Sequence, residues 1–299
     1  MKPSAGEPAS IHAAWRLAVA ERVAAVYAGN PDLAALTVAG SVGAGLADRF
    51  SDLELDCYWT RPPTERERVA AVEALAGELA ALWAYDPDDE EWSEDYRVGD
   101  LDITVSNFLT GTIERFLDDV LLRVSTEPVR HMRLAAVQRC QPLIGAEVIE
   151  SWRTRAAEFP DNLVSALVEE ALAPKALSGW AAREALASRG DDLALTSLRA
   201  RSGQAVVHAV LALNRVYLPH RQLKWQRQLI AGLALAPDRF AERLGLVSAG
   251  PPEQALPALE GLLAEVADLA EAHSGADLEE FRETLAERRR SIDPPPAFR

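Results

Sequence analysis

Residues 38–59 read Val38-Ala39-Gly40-Ser41-Val42-Gly43-Ala44-Gly45, then Leu46-Ala47-Asp48-Arg49-Phe50, then Ser51-Asp52-Leu53-Glu54-Leu55-Asp56-Cys57-Tyr58-Trp59. An apolar strand at about 35–39 runs into a Gly-Ser turn, a segment of small residues follows, and a second strand opens at about 52. In a strand, residues i and i+2 share a face, so Asp52 and Glu54 point one way while Leu53 and Leu55 point into a core. Two carboxylates one strand step apart repel each other, and a divalent cation neutralises such a pair best. The Gly-Ser turn offers backbone N–H groups and a hydroxyl suited to phosphate oxygens. Together these residues predict nucleotide chemistry.

Working outward, Ser10 is placed to cap a helix running to about Tyr27, which Gly29-Asn30-Pro31 ends. After the second strand (about 52–59), Arg61-Pro62-Pro63 punctuates the chain and Thr64 caps a predicted helix over 65–82. The segment Asp86–Asp95 holds seven acids in ten residues and reads as a solvated loop, with a wall for a cationic substrate as the lesser alternative. Residues 99–108 alternate cleanly, Leu101, Ile103 and Val105 against Asp100, Asp102 and Thr104, as a half-buried strand does. Helices are expected near 112–124 and 129–139, with Pro142-Leu143-Ile144-Gly145 closing the mixed portion. Beyond it every segment reads as helix, near 147–158, 161–172, 178–188, 191–217, 222–235, 253–273 and 277–290, followed by a frayed proline-bearing tail. The expected division is therefore an α+β domain over 1–145 with a small mixed sheet, then an α-helical bundle over 146–299.

Composition narrows the function classes. The 299 residues carry 46 acids against 31 bases, a formal net charge of −15, which opposes binding of nucleic acid through phosphate neutralisation. No apolar run reaches the roughly 18 residues that a membrane span needs, and the polar first ten residues lack a signal core. Two cysteines, Cys57 and Cys140, suit a reducing cytoplasm as buried small apolar groups. Gly40, Gly43 and Gly45 do not match the dinucleotide fingerprint, and no Gly-Lys-Ser/Thr follows them, so neither a dinucleotide fold nor a P-loop is expected. The five histidines show no metal-ligand spacing, and no nucleophile elbow is present.

Gly40-Ser41, ten intervening residues, then Asp52-Leu53-Glu54, with Asp102 on a later strand, resembles the DNA polymerase β-like nucleotidyltransferase superfamily. The Asp-x-Glu form is similar to that of bacterial kanamycin-type, antibiotic-modifying nucleotidyltransferases. A looser similarity extends through Asn214-Arg215-Val216-Tyr217-Leu218-Pro219 and Lys224-Trp225, which resembles the helical domain of those enzymes and their uncharacterised relatives. The resemblance implies Mg²⁺-dependent transfer of a nucleoside monophosphate, from ATP by analogy, to a hydroxyl of a small acceptor such as an aminoglycoside-like antibiotic, with pyrophosphate leaving. It implies Asp52, Glu54 and Asp102 as ligands of two Mg²⁺ ions, Asp102 doubling as a candidate general base. Gly40, Ser41 and Ser51, with Asn214, Arg215 and Lys224, are implied as nucleotide-binding residues, the helical domain covering the cleft. From the residues alone, Asp100 rivals Asp102, Asp56 reads as a solvated strand end, Arg215 and Lys224 equally fit a salt bridge within the helical bundle, and Tyr217 and Trp225 fit a packed helix junction. A protein-modifying, antitoxin-like regulator and an inactive nucleotide-binding homologue are the alternatives, and a second copy of the chain is a candidate partner.

Overall fold

The computed structural model describes residues 11–292; Ser10, the expected cap, and the tail from 293 lie outside them. The chain separates into two compact units, residues 1–158 and 159–299. The boundary falls one helix later than the sequence-based division at 145. The first unit is an α+β domain with elements in the order α1 (Ile11–Tyr27), β1 (Leu33–Val38), α2 (Gly40–Gly43), β2 (Leu53–Trp59), α3 (Glu65–Ala74), β3 (Glu78–Leu82), β4 (Trp92–Val98), β5 (Leu101–Leu109), α4 (Thr110–Leu121), α5 (Pro128–Arg139), β6 (Gln141–Ile144) and α6 (Ala146–Ala156). Helix α6 belongs here because Trp152 sets its ring edge-on to Tyr58 of β2 at 5.1 Å and Arg155 pairs with Asp118 of α4 at 2.6 Å.

The sheet has six strands in the order β3-β4-β5-β2-β1-β6. Strands β2 and β5 run parallel, with Leu53 opposite Ile103 and Cys57 opposite Asn107, and the remaining pairings are antiparallel. One face carries Leu53, Leu55, Trp59, Ile103 and Val105, all buried, and is backed by α1 and α3. This apolar core also encloses a polar string. Arg68 of α3 bonds Glu94 of β4 at 2.7 Å, and Asn107 donates its amide to both Glu94 oxygens at 3.0 and 2.9 Å. Trp59 Nε1 closes the string on the Asn107 carbonyl at 2.9 Å. Every member is satisfied, the condition under which buried polar groups are tolerated.

Three local expectations change. The helix predicted over 65–82 starts as expected, Thr64 and Glu67 forming a reciprocal capping box, but it stops at Ala74. Ala76 turns the chain in the left-handed region (φ +50°), and residues 78–82 become the edge strand β3. Ala and Leu there favour helix locally, yet pairing with β4 decides the state, as tertiary context commonly does. The acidic run is a solvated loop only in its first half: Trp92 to Asp95 enter β4, and Glu94 is fully buried. The small sheet is larger than expected because β3, β4 and β6 join it.

The second unit is helical: α7 (Asp161–Ala171), α8 (Arg183–Arg189), α9 (Asp192–Leu213), α10 (Gln226–Ile230), α11 (Phe240–Ala249), α12 (Pro252–Ser274) and α13 (Glu279–Ala286). The segment expected as one helix over 178–188 opens with a short 3₁₀ turn, Trp180–Ala182, and another, Pro174–Leu177, precedes it. The 222–235 segment is helical only across α10, and α11 was not anticipated. Helix α9 ends at Leu213 rather than near 217. Among the described residues no helix is long and apolar enough to cross a membrane. Cys57 and Cys140 are both buried, and burial pushes the Cys140 thiol up to about 11, the profile of an inert packing residue.

Candidate active site

The sheet face opposite the core carries the residues of interest, arranged in rows set by strand register. With Leu53 opposite Ile103, the residues just before them, Asp52 and Asp102, lie side by side at the mouth of the parallel pair. The next row on this face is Glu54, Thr104 and Asp95, and the next is Thr37, Asp56, Ser106 and Ser93. Tyr58 and Phe108 follow, stacked at 5.9 Å. Exposure falls along β2: Asp52 is exposed, Glu54 intermediate and Asp56 only 4% exposed. The acids thus form a stair descending from solvent to beneath α5 and α6.

The Gly-Ser turn sits against this stair. Gly40 begins the single turn α2 at φ +55°, and a Cβ there would fall 2.5 Å from the Glu54 carboxyl carbon. Only glycine satisfies both the left-handed backbone and that close approach. The Ala39 N–H donates to the Glu54 carbonyl at 2.9 Å, stitching the turn to β2. Gly40→Ala is therefore expected to cost more than about 1 kcal/mol of stability and to displace the Glu54 carboxylate; urea unfolding and a magnesium titration of the variant check the two effects separately.

At the start of β2, Arg16 of α1, 3% exposed, donates to the Ser51 carbonyl immediately before Asp52, and to the His12 carbonyl at 2.6 Å. Ser51 itself turns its hydroxyl to Asp48, accepting from the Asp48 N–H at 3.0 Å. Its side chain organises the loop that leads into the carboxylate pair. Asp102 is ion-paired to Arg97 of β4 at 2.8 Å, both side chains being more than half exposed. Asp56 is corrected from a solvated strand end to a buried acid: the Tyr58 hydroxyl donates to it at 3.3 Å, and burial raises its pKa against the pull of Arg133 and Tyr58.

The donor chemistry of Asp52, Glu54 and Asp102, hard carboxylate oxygens, fits Mg²⁺. The space that a Cβ at Gly40 would take holds the Glu54 carboxylate, so this glycine seats one of the candidate metal ligands against the Gly-Ser turn. In the present arrangement Asp102 is taken by Arg97, and among the described residues no group of three acid, histidine or cysteine side chains is gathered closely enough to hold a metal ion. Completing a three-carboxylate set requires Asp102 to exchange Arg97 for the cation, a small rearrangement for an exposed pair whose net worth is low.

The three nucleotide-binding candidates of the second unit stand in that unit's own framework. The Asn214 amide donates to the Val210 and Leu235 carbonyls, both at 2.8 Å, and its oxygen accepts from the Ala234 and Leu235 N–H groups. That exhausts its capacity of two donors and two lone pairs. Arg215 bonds the Phe159 carbonyl and Asp161, the salt bridge within the helical unit that its position allowed. Lys224 is exposed. Tyr217 is 1% exposed and packs on Phe159 at 4.8 Å, the helix-junction role.

Sequence reasoning missed Arg16, Glu91 and Arg133. Arg133 of α5 lies 4.4 Å from the Phe108 ring and bonds Glu91 at 2.8 Å. Nothing in the local pattern marked them, since a lone arginine on a helix and one acid within an acidic run are ordinary surface residues.

Comparison with known proteins adds two likenesses. Residues 128–226 match a family model described as a domain of unknown function, DUF4037, a stretch that crosses the boundary between the two units. The chain is also similar to a nucleotidyltransferase-like protein from Exiguobacterium sibiricum 255-15, solved at 1.90 Å resolution. That similarity is 12% identity with a TM-score of 0.38, over 86% of this chain and 77% of that one. No curated protein matches the chain.

Proposed function

We propose that this protein is a nucleotidyltransferase that moves a nucleoside monophosphate from a nucleoside triphosphate to a hydroxyl of a small acceptor, releasing pyrophosphate. The observation that carries the reading is the packing of the Glu54 carboxylate on Gly40 of the Gly-Ser turn, with Asp52 one strand step away and Asp102 beside it on β5. Asp52 and Glu54 would hold Mg²⁺, joined by Asp102 once it leaves Arg97. When bound, the metal neutralises charge on the attacking and leaving oxygens. The chain's own residues supply position: Arg16 fixes the carbonyl ahead of Asp52, Gly40 makes room for the Glu54 carboxylate, and Ser41 would offer its hydroxyl to a phosphate oxygen. ATP is the donor by the family resemblance. An aminoglycoside-like acceptor fits the net charge of −15, which favours cationic small molecules over nucleic acid.

The test is pyrophosphate release by the purified protein with Mg²⁺, each of the four ribonucleoside triphosphates and a panel of aminoglycosides. Acceptor-dependent release with at least one donor is expected. Silence across every donor and acceptor would overturn the assignment, and release only in the presence of a co-purifying protein would replace it with the regulatory alternative.

A further inference from the structure

In the proposed reaction the acceptor must rest beside the carboxylate row while one of its hydroxyls faces the α-phosphorus. The row that contains Glu54 continues through Thr104 of β5 to Asp95 of β4, and all three residues are half-buried. The Thr104 hydroxyl donates to Asp95 Oδ1 at 2.8 Å, and Trp83, just past the end of β3, donates its Nε1–H to Asp95 Oδ2 at 3.0 Å. The backbone N–H of Trp83 donates to the Ser93 carbonyl of β4 at 2.8 Å. Backbone and indole edge are thus both anchored to β4, yet Trp83 stays 57% exposed. The ring is an aromatic surface fixed beside a carboxylate and open to solvent, at the edge of the face that carries Glu54. Charge on this face selects what could rest there. Along β4 on either side of Asp95, Arg97 is matched with Asp102 and Arg133 with Glu91, whereas both hydrogen bonds to Asp95 come from neutral donors. Beyond Trp83 the chain enters the acidic loop that carries Asp86, Asp88 and Asp89. A cation over the indole gains from the ring face and from Asp95 together; a neutral nucleobase gains from the ring alone.

We propose that Trp83 and Asp95 form the acceptor subsite and hold an ammonium-bearing sugar ring; the inference rests on the nucleotidyltransferase reading. Asp95 stands two strands from Glu54, about 10 Å at the ordinary spacing of paired strands. A two-ring aminated sugar spans that gap, one ring resting on Trp83 while a hydroxyl of the other reaches the carboxylate row. Selection follows the amino group: the subsite takes cationic rings over neutral sugars of the same shape, and it leaves binding of the triphosphate to the residues around the Gly-Ser turn.

Calorimetric titration with neamine, a two-ring aminoglycoside, tests this without turnover, its fully N-acetylated form serving as the neutral control. Wild type should bind neamine at least about tenfold more tightly than the control. Trp83→Leu and Asp95→Asn should each weaken neamine by about 5–30-fold while Mg-ATP affinity stays within about twofold. Trp83→Phe keeps an aromatic face and should retain more of the affinity than Trp83→Leu; equal loss in both would make the residue structural and overturn the proposal. Equal binding of neamine and its acetylated form, no binding of either, or a loss of Mg-ATP affinity in place of neamine affinity would each overturn it as well. Pyrophosphate release separates the two levels of inference. Trp83→Leu that turns over with an unchanged KM for neamine overturns the subsite and leaves the nucleotidyltransferase reading standing; wild type that releases no pyrophosphate with any donor or acceptor overturns both.

Discussion

Asp52→Asn is expected to lower acceptor-dependent pyrophosphate release by about 10³-fold, corresponding to about 4 kcal/mol of transition-state stabilisation. The substitution keeps the shape of the side chain and removes one negative charge from the pair that would share the cation. The loss should appear in kcat and in the magnesium requirement together, because a weaker metal site fails both to charge and to hold its ion. Folding should be little affected. Asp52 is exposed at the strand mouth, and relieving repulsion with Glu54 works slightly in favour of stability in the absence of metal. Magnesium-dependent stabilisation by thermal melting offers a second readout: wild type should melt higher with Mg²⁺ than without, and Asp52→Asn should not. Unchanged activity in the variant would sink the assignment of β2 as the metal-binding strand.

The largest effect on stability is expected from Arg68→Met. Arg68 and Glu94 are 4% and 0% exposed, and truncating one partner of a buried pair leaves the other charged without compensation, a loss of about 3–5 kcal/mol. Burial pushes Glu94 up to about 7 against the pull of Asn107 and Arg68, and removing Arg68 pushes it further in the same direction. The sign of the pH dependence follows. A carboxyl whose folded pKa lies above its unfolded value binds its proton more tightly in the native state. Its contribution is therefore fully present below about pH 4.5 and lost as pH rises through 7. Arg68→Met should accordingly lose most at pH 8 and least at pH 5 in urea unfolding. Adding Glu94→Gln should recover part of the loss at pH 8. Equal destabilisation at both pH values would show that the pair is not the source.

These two variants probe opposite faces of one sheet, and the faces differ in how far they could be read from residues alone. The alternation Asp52-Leu53-Glu54-Leu55 and Asp100–Val105 announced two strands and which side chains they share. Both strands are present, adjacent and parallel, so Asp52 and Asp102 each directly precede a member of the first registered pair, Leu53 and Ile103. Gly40 was legible as a close-approach glycine, and the group approaching it is Glu54 itself. The Arg68–Glu94–Asn107–Trp59 string was not legible: its members come from α3, β4, β5 and β2, and an arginine and a glutamate facing a core look locally like surface residues. Residues 78–82 were misread for a related reason. Ala and Leu satisfy either helix or edge strand, and only the presence of β4 alongside settles which.

What the amino-acid sequence determined by itself is local and periodic. It set the Gly-Ser turn, the two carboxylates one strand step apart, the alternating strand that carries Asp102, and the capping box that starts α3. It also set an acidic charge balance and the succession of an α+β region by helices. What only the tertiary structure decided is burial and partnership. Asp56 sinks under Tyr58 while Asp52, four residues earlier, stays in water. Asp102 meets Arg97, Glu91 meets Arg133, and Asn214 spends all its hydrogen bonds on the backbone around it. The physical reason is that periodicity depends on backbone geometry within a few residues, whereas desolvation and ion pairing depend on which distant segment the register brings alongside.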